Sequence, residues 1–298
     1  MRFLLFICGV LLGAPAMAGP ASELNEITAG QPVTIRPDKA YLLIRFWRPQ
    51  GVTSVEPVLL RVPRQTEMDA YLAAKREAFA QALPKLRERH AAAVAKKAAA
   101  EANGGRFKGE VPPEPALGNF DFAYDSTINV SNIHNGKAFV RGDPEATYLL
   151  EAPAGRYVIY GAAYGSPMMK DWLSVCFCLG TVGFDAKPGI ITDLGTWYGD
   201  QAKKRSVIPE LAAESGFGPS SDTPMVLLTG TVRPTQHGVS IPAALNRQPI
   251  VAADYHAVGK FVEPNAGGVN RLVPVPGVLA YDNGRVIDLK TARIVDDQ

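Results

Sequence analysis

The chain has 298 residues, 47% of them hydrophobic and 20% charged, with Lys+Arg 31 against Asp+Glu 29. That length and apolar content supply a core for one large or two ordinary domains, and exclude a wholly disordered chain. A formal charge of +2 excludes the strongly basic profile of a general nucleic-acid binder, and the abundance of Gly (28) and Pro (24) points to many turns.

Met1-Arg2-Phe3 is a short basic start, Leu4 to Leu12 an apolar run, and Ala16-Met17-Ala18 ends in the small residues that a signal peptidase reads. Residues 1–18 are therefore expected to be a signal peptide cleaved after Ala18. The run is too short for a transmembrane span, which takes about 20 residues; an uncleaved anchor is the alternative. Cys8 follows Phe6-Ile7 rather than a small residue and lies too early for a lipoprotein site. The expected address is periplasmic or secreted, in a bacterium.

Residues 19–63 read as the first strands of a β-sandwich. Pro32-Val33-Thr34-Ile35, Ala40 to Trp47 and Val58 to Val62 are β-branched and aromatic runs, broken at Pro37-Asp38, at Pro49-Gln50-Gly51 and at Pro63. Composition then changes. From Thr66 to Ala102 the chain holds no Gly, a single Pro (Pro84), and many Ala, Glu, Lys and Arg, all strong helix formers. Thr66 with Asp69 predicts the start of a helix and Asn103-Gly104-Gly105 its stop. Pro84 predicts a kink or a division into two helices near Leu83. Met68, Leu72, Phe79, Leu83, Leu86, His90 and Val94 recur at helical spacing and are expected to pack on the body, with His90 as packing rather than a ligand. Residues 85–108 carry a local charge of +5, from Lys85, Arg87, Arg89, Lys96, Lys97, Arg106 and Lys108 against Glu88 and Glu101. The face is either solvated or a basic arm for an envelope protein or an anionic lipid or glycan, with Lys85, Arg89, Lys96 and Lys97 as the partner-binding candidates. Pro112-Pro113-Glu114-Pro115 is a stiff linker that closes the insertion at 64–118.

Residues 119–200 resume the strand pattern and are expected to complete the sandwich. Asn119 to Tyr124, Ala138 to Val140, Thr147 to Ala152, Arg156 to Gly161, Ser174 to Phe184 and Ile190 to Gly195 are the predicted strands, with turns at Pro153-Ala154-Gly155 and Lys187-Pro188-Gly189. In 201–298 the text loosens into a C-terminal extension. Met225 to Val232 reads as one more strand, and 234–276 is punctuated by Pro. Val278 to Tyr281, Asp282-Asn283-Gly284 and Arg285 to Asp288 read as a terminal hairpin. The fold class is thus mainly β: an antiparallel β-sandwich with a long helical insertion and an extended C-terminal region.

Pro153-Ala154-Gly155-Arg156-Tyr157, followed by Phe184-Asp185-Ala186-Lys187-Pro188-Gly189, resembles the P-x-G-x-Y … F-x-x-x-x-G pattern of small β-sandwich modules of bacterial envelope proteins and lipoproteins. These are loosely similar to prealbumin-like and carboxypeptidase-regulatory-like domains. The resemblance covers roughly residues 32–200 with 64–118 interrupting it, and implies attachment, binding or scaffolding with no catalytic residues to carry over. The helical insertion and the lack of a lipobox depart from that pattern.

Chemical motifs are few. G-x-S-x-G, G-x-x-x-x-G-K-[ST], G-x-G-x-x-G and H-E-x-x-H are all missing. His134, in a polar turn-like stretch, could join Asp121 and Asp125 in an acid–base or metal cluster, against a plain loop histidine. Cys176 and Cys178, spaced C-x-C, are either packing residues, a disulfide allowed by a bulge, a redox pair or half of a metal site. Trp47, Trp172, Trp197 and Tyr198 either cap the core or form a sugar-stacking platform. Asn129-Val130-Ser131 matters only in a eukaryotic secretory route. No cofactor is expected. The reading is an exported, non-enzymatic binding or assembly protein of the cell envelope; the alternatives are an enzyme near His134 and a thiol or metal function at the cysteines.

Overall fold

A computed structural model describes residues 24–30, 32–47, 55–124, 130–133, 137–164, 173–177, 180–202, 227–235, 241–259, 272–282 and 285–295. The chain opens with strands β1 (Asn25–Ile27), β2 (Lys39–Trp47) and β3 (Glu56–Arg61), followed by helix α1 (Gln65–Ala102). Strands β4 (Val130–Asn132), β5 (Glu145–Pro153), β6 (Gly155–Tyr164), β7 (Leu173–Cys176), β8 (Thr181–Ala186) and β9 (Ile191–Ala202) come next. After them are β10 (Leu227–Arg233), β11 (Ile250–Ala252), β12 (His256–Val258), β13 (Leu279–Asp282), β14 (Arg285–Asp288) and β15 (Arg293–Ile294). The described residues are mainly β, with one helix of this length and no barrel among them.

Two six-stranded sheets carry the body. The first has the order β1-β5-β2-β9-β10, with β11 also on β9; the second has the order β12-β8-β6-β3-β4, with β7 also on β6. Residues of both sheets share one buried cluster, in which Leu42, Ile44, Phe46 and Leu150 of the first sheet join Leu59, Ile159, Val182 and Phe184 of the second. β2 shows why its sequence is a continuous apolar run rather than an alternating one. Leu42, Ile44 and Phe46 enter that cluster, while Tyr41 and Leu43 lie under a second cap with Leu149, Ile191 and Leu245. Both faces are covered, so both faces are apolar.

The expectation of a purely antiparallel body is corrected by two pairings. β2 runs parallel to β9, and so does β11. Between β2 and β9 the chain passes through the other sheet, and such a long crossover permits a parallel neighbour where a tight turn does not. β9 also continues through Gly195, where the sequence pattern stops. The β2–β9 register shifts between Leu43 and Arg45, so the extra residue of β9 forms a bulge. Gly195 has φ +84°, and a Cβ there would meet the Arg233 carbonyl oxygen at 2.0 Å; only glycine fits. By contrast, the turn Pro188-Gly189 stands as the sequence reads it, with Gly189 at φ +71° after a proline.

Beside the bulge lies a buried ion pair. Arg45 Nη1 donates to Asp193 Oδ1 at 2.8 Å and Nη2 to Oδ2 at 3.0 Å, and the side chains are 2% and 3% exposed. Asp193 Oδ1 also accepts the Gly195 N–H at 3.0 Å. Nearby, the Tyr255 hydroxyl donates to the Leu194 carbonyl at 2.8 Å; complete burial, reinforced by the Asp193 charge, pushes that phenol well above its ordinary pKa.

Residues beyond 200 enter this architecture. β10 pairs with β9 from Arg233↔Thr196 to Leu227↔Ala202, β11 follows it on β9, and β12 pairs with β8. β13, β14 and β15 form a three-stranded sheet whose Leu279 and Val286 reach the main core cluster. β13 and β14 pair antiparallel with Asp282 opposite Arg285; the Asn283-Gly284 turn lies outside the described residues.

Two stability predictions follow from the bulge. Arg45→Met or Asp193→Leu alone strands a buried charge and is expected to cost about 3–5 kcal/mol, while the double variant recovers most of it; a urea-denaturation double-mutant cycle measures the coupling. Gly195→Ala is expected to lower stability by about 3 kcal/mol, because both the left-handed backbone and the Arg233 carbonyl oppose a Cβ.

Candidate functional site

α1 and its return segment are inserted between β3 and β4, which are themselves paired through Leu59↔Ser131. The arm therefore leaves and re-enters the body at neighbouring strands. α1 has 38 residues, about 57 Å at the usual helical rise, and none of its residues is buried.

Its root is a fork of arginines on one carboxylate. Arg61, the last residue of β3, donates from Nη1 and Nη2 to Glu67 Oε2 and Oε1 at 2.9 and 3.1 Å. The Arg64 backbone N–H donates to Glu67 Oε2 at 2.7 Å, and Arg64 Nη2 to Oε1 at 2.9 Å. Glu67 thus closes the first turn from its third position while holding a sheet residue, and the Thr66–Asp69 cap expected from sequence is replaced by Arg64–Glu67. The Arg61 hydrogen bonds, followed by those of Arg64, outweigh desolvation and hold the Glu67 carboxyl at about 2. Arg-x-x-Arg-x-x-Glu at 61–67, straddling a strand end and a helix start, is the signal that would have found it.

The apolar stripe meets a different partner from the one expected. Instead of the body, Phe79 and His90 of the stripe, together with Tyr71 beside it, meet the returning chain. Tyr71 contacts Phe122 and Tyr124 with ring centroids 5.8 and 5.5 Å apart, and Phe79 contacts Phe120 at 5.4 Å. His90 Nδ1 lies 2.8 Å from the Pro112 carbonyl oxygen, so this histidine is a half-buried packing residue. Met68 and Val94, at the stripe's margins, remain exposed. Residues 119–124, expected as a strand, contain the end of a 3-10 turn and an extended stretch outside any sheet ladder. Phe120, Phe122 and Tyr124 face the helix, and Asp121 and Ala123 are exposed. Pro84 neither divides nor ends α1: it sits exposed, as does Ala80, whose carbonyl loses its helical donor and is open to water.

The basic candidates remain on the uncovered surface. Lys85, Arg89 and Lys96 are exposed and fall within about 40° of one another around the helix, along about 16 Å of its axis. Among the described residues none of these three forms an ion pair, whereas Lys97 lies 4.0 Å from Glu101 one turn on.

Asp121 is exposed on the return segment; His134, Asp125, Cys178, Trp172 and the cleavage site at Ala18 lie outside the described residues. Cys176 ends β7, opposite Gly161 of β6, and the intervening Phe177 is in the core. No group of three metal-ligating side chains occurs among the described residues, and no described helix is long and apolar enough to cross a membrane. Trp197 is a core residue, with its Nε1 donating to the Val55 carbonyl at 2.7 Å, so it takes no part in a surface platform. Trp47 and Tyr198 are half-exposed neighbours.

The root is a pH-dependent clamp. The folded-state pKa of Glu67 is depressed from 4.5 to about 2, so its contribution is complete above pH 4.5 and is lost as pH falls towards 2. Glu67→Gln is expected to cost about 2 kcal/mol at pH 7, less than the full shift implies because the carboxylate retains some contact with solvent. Chemical denaturation at pH 7, 4 and 2.5 checks it: the gap between wild type and variant shrinks with acid.

Comparison with known proteins gave no match to this chain among protein-family models, curated proteins or solved structures.

Proposed function

We propose that this is an exported, non-enzymatic β-sandwich protein of the bacterial cell envelope, in which the arm is the partner-binding element. The two sheets are read as the layers of the sandwich and β13–β14 as its terminal hairpin. The signal-peptide-like start, the likeness to envelope β-sandwich modules and the lack of a catalytic motif support the address and class.

One observation carries the binding role. On the side through which α1 would enter a bilayer or a coiled coil, Tyr71 and Phe79 are already occupied by Phe120, Phe122 and Tyr124, while Lys85, Arg89 and Lys96 stand exposed without an ion pair among the described residues. Docking through this arm is therefore electrostatic. An anionic bilayer adds only about 1 kcal/mol per basic residue, which is weak for three or four of them. A folded acidic protein surface, able to meet the row with matched carboxylates, is the favoured partner.

Charge reversal tests this. Wild type and the Lys85→Glu/Arg89→Glu/Lys96→Glu/Lys97→Glu variant are used as bait in envelope extract at low and high salt. The expected result is an acidic protein retained by wild type, released by about 0.5 M salt and missing from the variant. Identical retention by both proteins overturns the role of the row, and cell fractionation that leaves the protein in the cytoplasm overturns the address.

A further inference from the structure

β11 forms an open edge of the first sheet. The Pro249 carbonyl accepts from the Ile191 N–H at 2.9 Å and the Ala253 N–H donates to the Asp193 carbonyl at 2.8 Å, so both residues turn their backbone groups to β9. Backbone groups alternate in direction along a strand. Val251 therefore also turns to β9, while Ile250 and Ala252 turn away from it. Among the described residues, the outward N–H and C=O of Ile250 and Ala252 have no hydrogen-bond partner. Two other edges are covered. On β10 the Gly230 carbonyl accepts from the Val273 N–H at 3.1 Å, and on β12 the Ala257 N–H donates to Asp288 Oδ2 at 3.3 Å. Where an edge stays open, a charged side chain commonly discourages pairing. β11 carries instead Val251, 46% exposed, and Ala252, also exposed, while Ile250 is half-buried against the second apolar cluster.

This edge is self-complementary. A second β11 laid antiparallel along it, with Val251 opposite Val251, places Ile250 opposite Ala252 on both sides of the centre. Each Ile250–Ala252 pair then exchanges both of its N–H···O bonds, which satisfies every open backbone group of the two strands. The two exposed valines meet between these pairs at the closer cross-strand spacing. Charge agrees with the same alignment. Arg247, four residues before Val251, is exposed and has no ion pair among the described residues. Asp254, three residues after Val251, has a side chain 95% exposed, with Oδ1 on Lys290. The antiparallel alignment brings Arg247 of one copy within one residue of Asp254 of the other, at both ends. A parallel alignment brings Arg247 onto Arg247 instead.

We propose that the protein forms a twofold-symmetric dimer through β11, which joins the first sheets of two copies into one continuous sheet. The contact uses neither the arm nor its root, so it stands or falls independently of the basic row.

Sedimentation velocity of the full chain, from about 5 to about 500 µM, tests it. The expected result is a reversible monomer–dimer equilibrium with a micromolar Kd. Ala252→Pro removes an outward donor and no bond to β9, so it is expected to unfold at nearly the wild-type temperature while Kd rises about tenfold or more. Arg247→Glu and Asp254→Arg each weaken self-association, because like charges then meet at both ends. An equimolar mixture of those two variants restores it, since the heterodimer is matched at both ends; a folding defect cannot produce that rescue. The arm charge-reversal variant dimerises as wild type. A chain that stays monomeric at about 500 µM overturns the proposal, as does a dimer undiminished in Ala252→Pro. A mixture that associates no better than its components overturns the antiparallel alignment and the proposal with it.

Discussion

The buried fork between Arg45 and Asp193 is the constraint on which the body depends. β9 has to serve β2 along one edge and, along the other, first β11 and then β10. The bulge at Gly195 is where those two partners change over, and Asp193 closes it by accepting from both the Gly195 N–H and the guanidinium. Set against a well-packed apolar pair, a buried ion pair contributes little net stability. Its effect here is on register: a slip of one residue between β2 and β9 parts the two charges in an environment that penalises each of them alone.

The same chemistry recurs at the root of the arm with a different consequence. Arg61 is 3% exposed and Glu67 18%, so the fork joins the sheet interior to the first turn of α1. Beyond that turn the helix draws on its alanine-rich sequence and on the aromatic row of its return segment. A long helix of strong formers needs little tertiary support. The arm thus combines a stiff shaft and a partly covered apolar side with a basic side left to solvent.

The FxFxY run at 120–124 illustrates how far a local pattern reaches. Alternation with a period of two records which side chains meet an apolar surface; here the surface is a helix, and the backbone ladder that the pattern suggests is missing. Pro84 leaves α1 undivided, since an exposed turn lets water satisfy the carbonyl that the ring leaves unpaired. Trp47, Trp197 and Tyr198 lie close together, yet Trp197 is in the core and the other two face outward. Nothing local separates those fates, because they follow from the faces that β2 and β9 turn to the second sheet.

The helix limits within a residue, the turn at Pro188-Gly189, the strand-rich remainder and the exposed basic residues of the arm were all legible in the amino-acid order. Each rests on interactions within a few residues: propensity, capping composition, a fixed proline φ followed by a permissive glycine. Tertiary structure alone decided the parallel place of β9 beside β2, the bulge at Gly195, the meeting of Tyr71, Phe79 and His90 with the helix's own return, and the juxtaposition of Trp47 with Tyr198. Arg45 and Asp193 are 148 residues apart in the chain. Which of many charged residues will be buried together at such a separation depends on which distant strands pair and in what register, a global outcome that no short window of sequence contains.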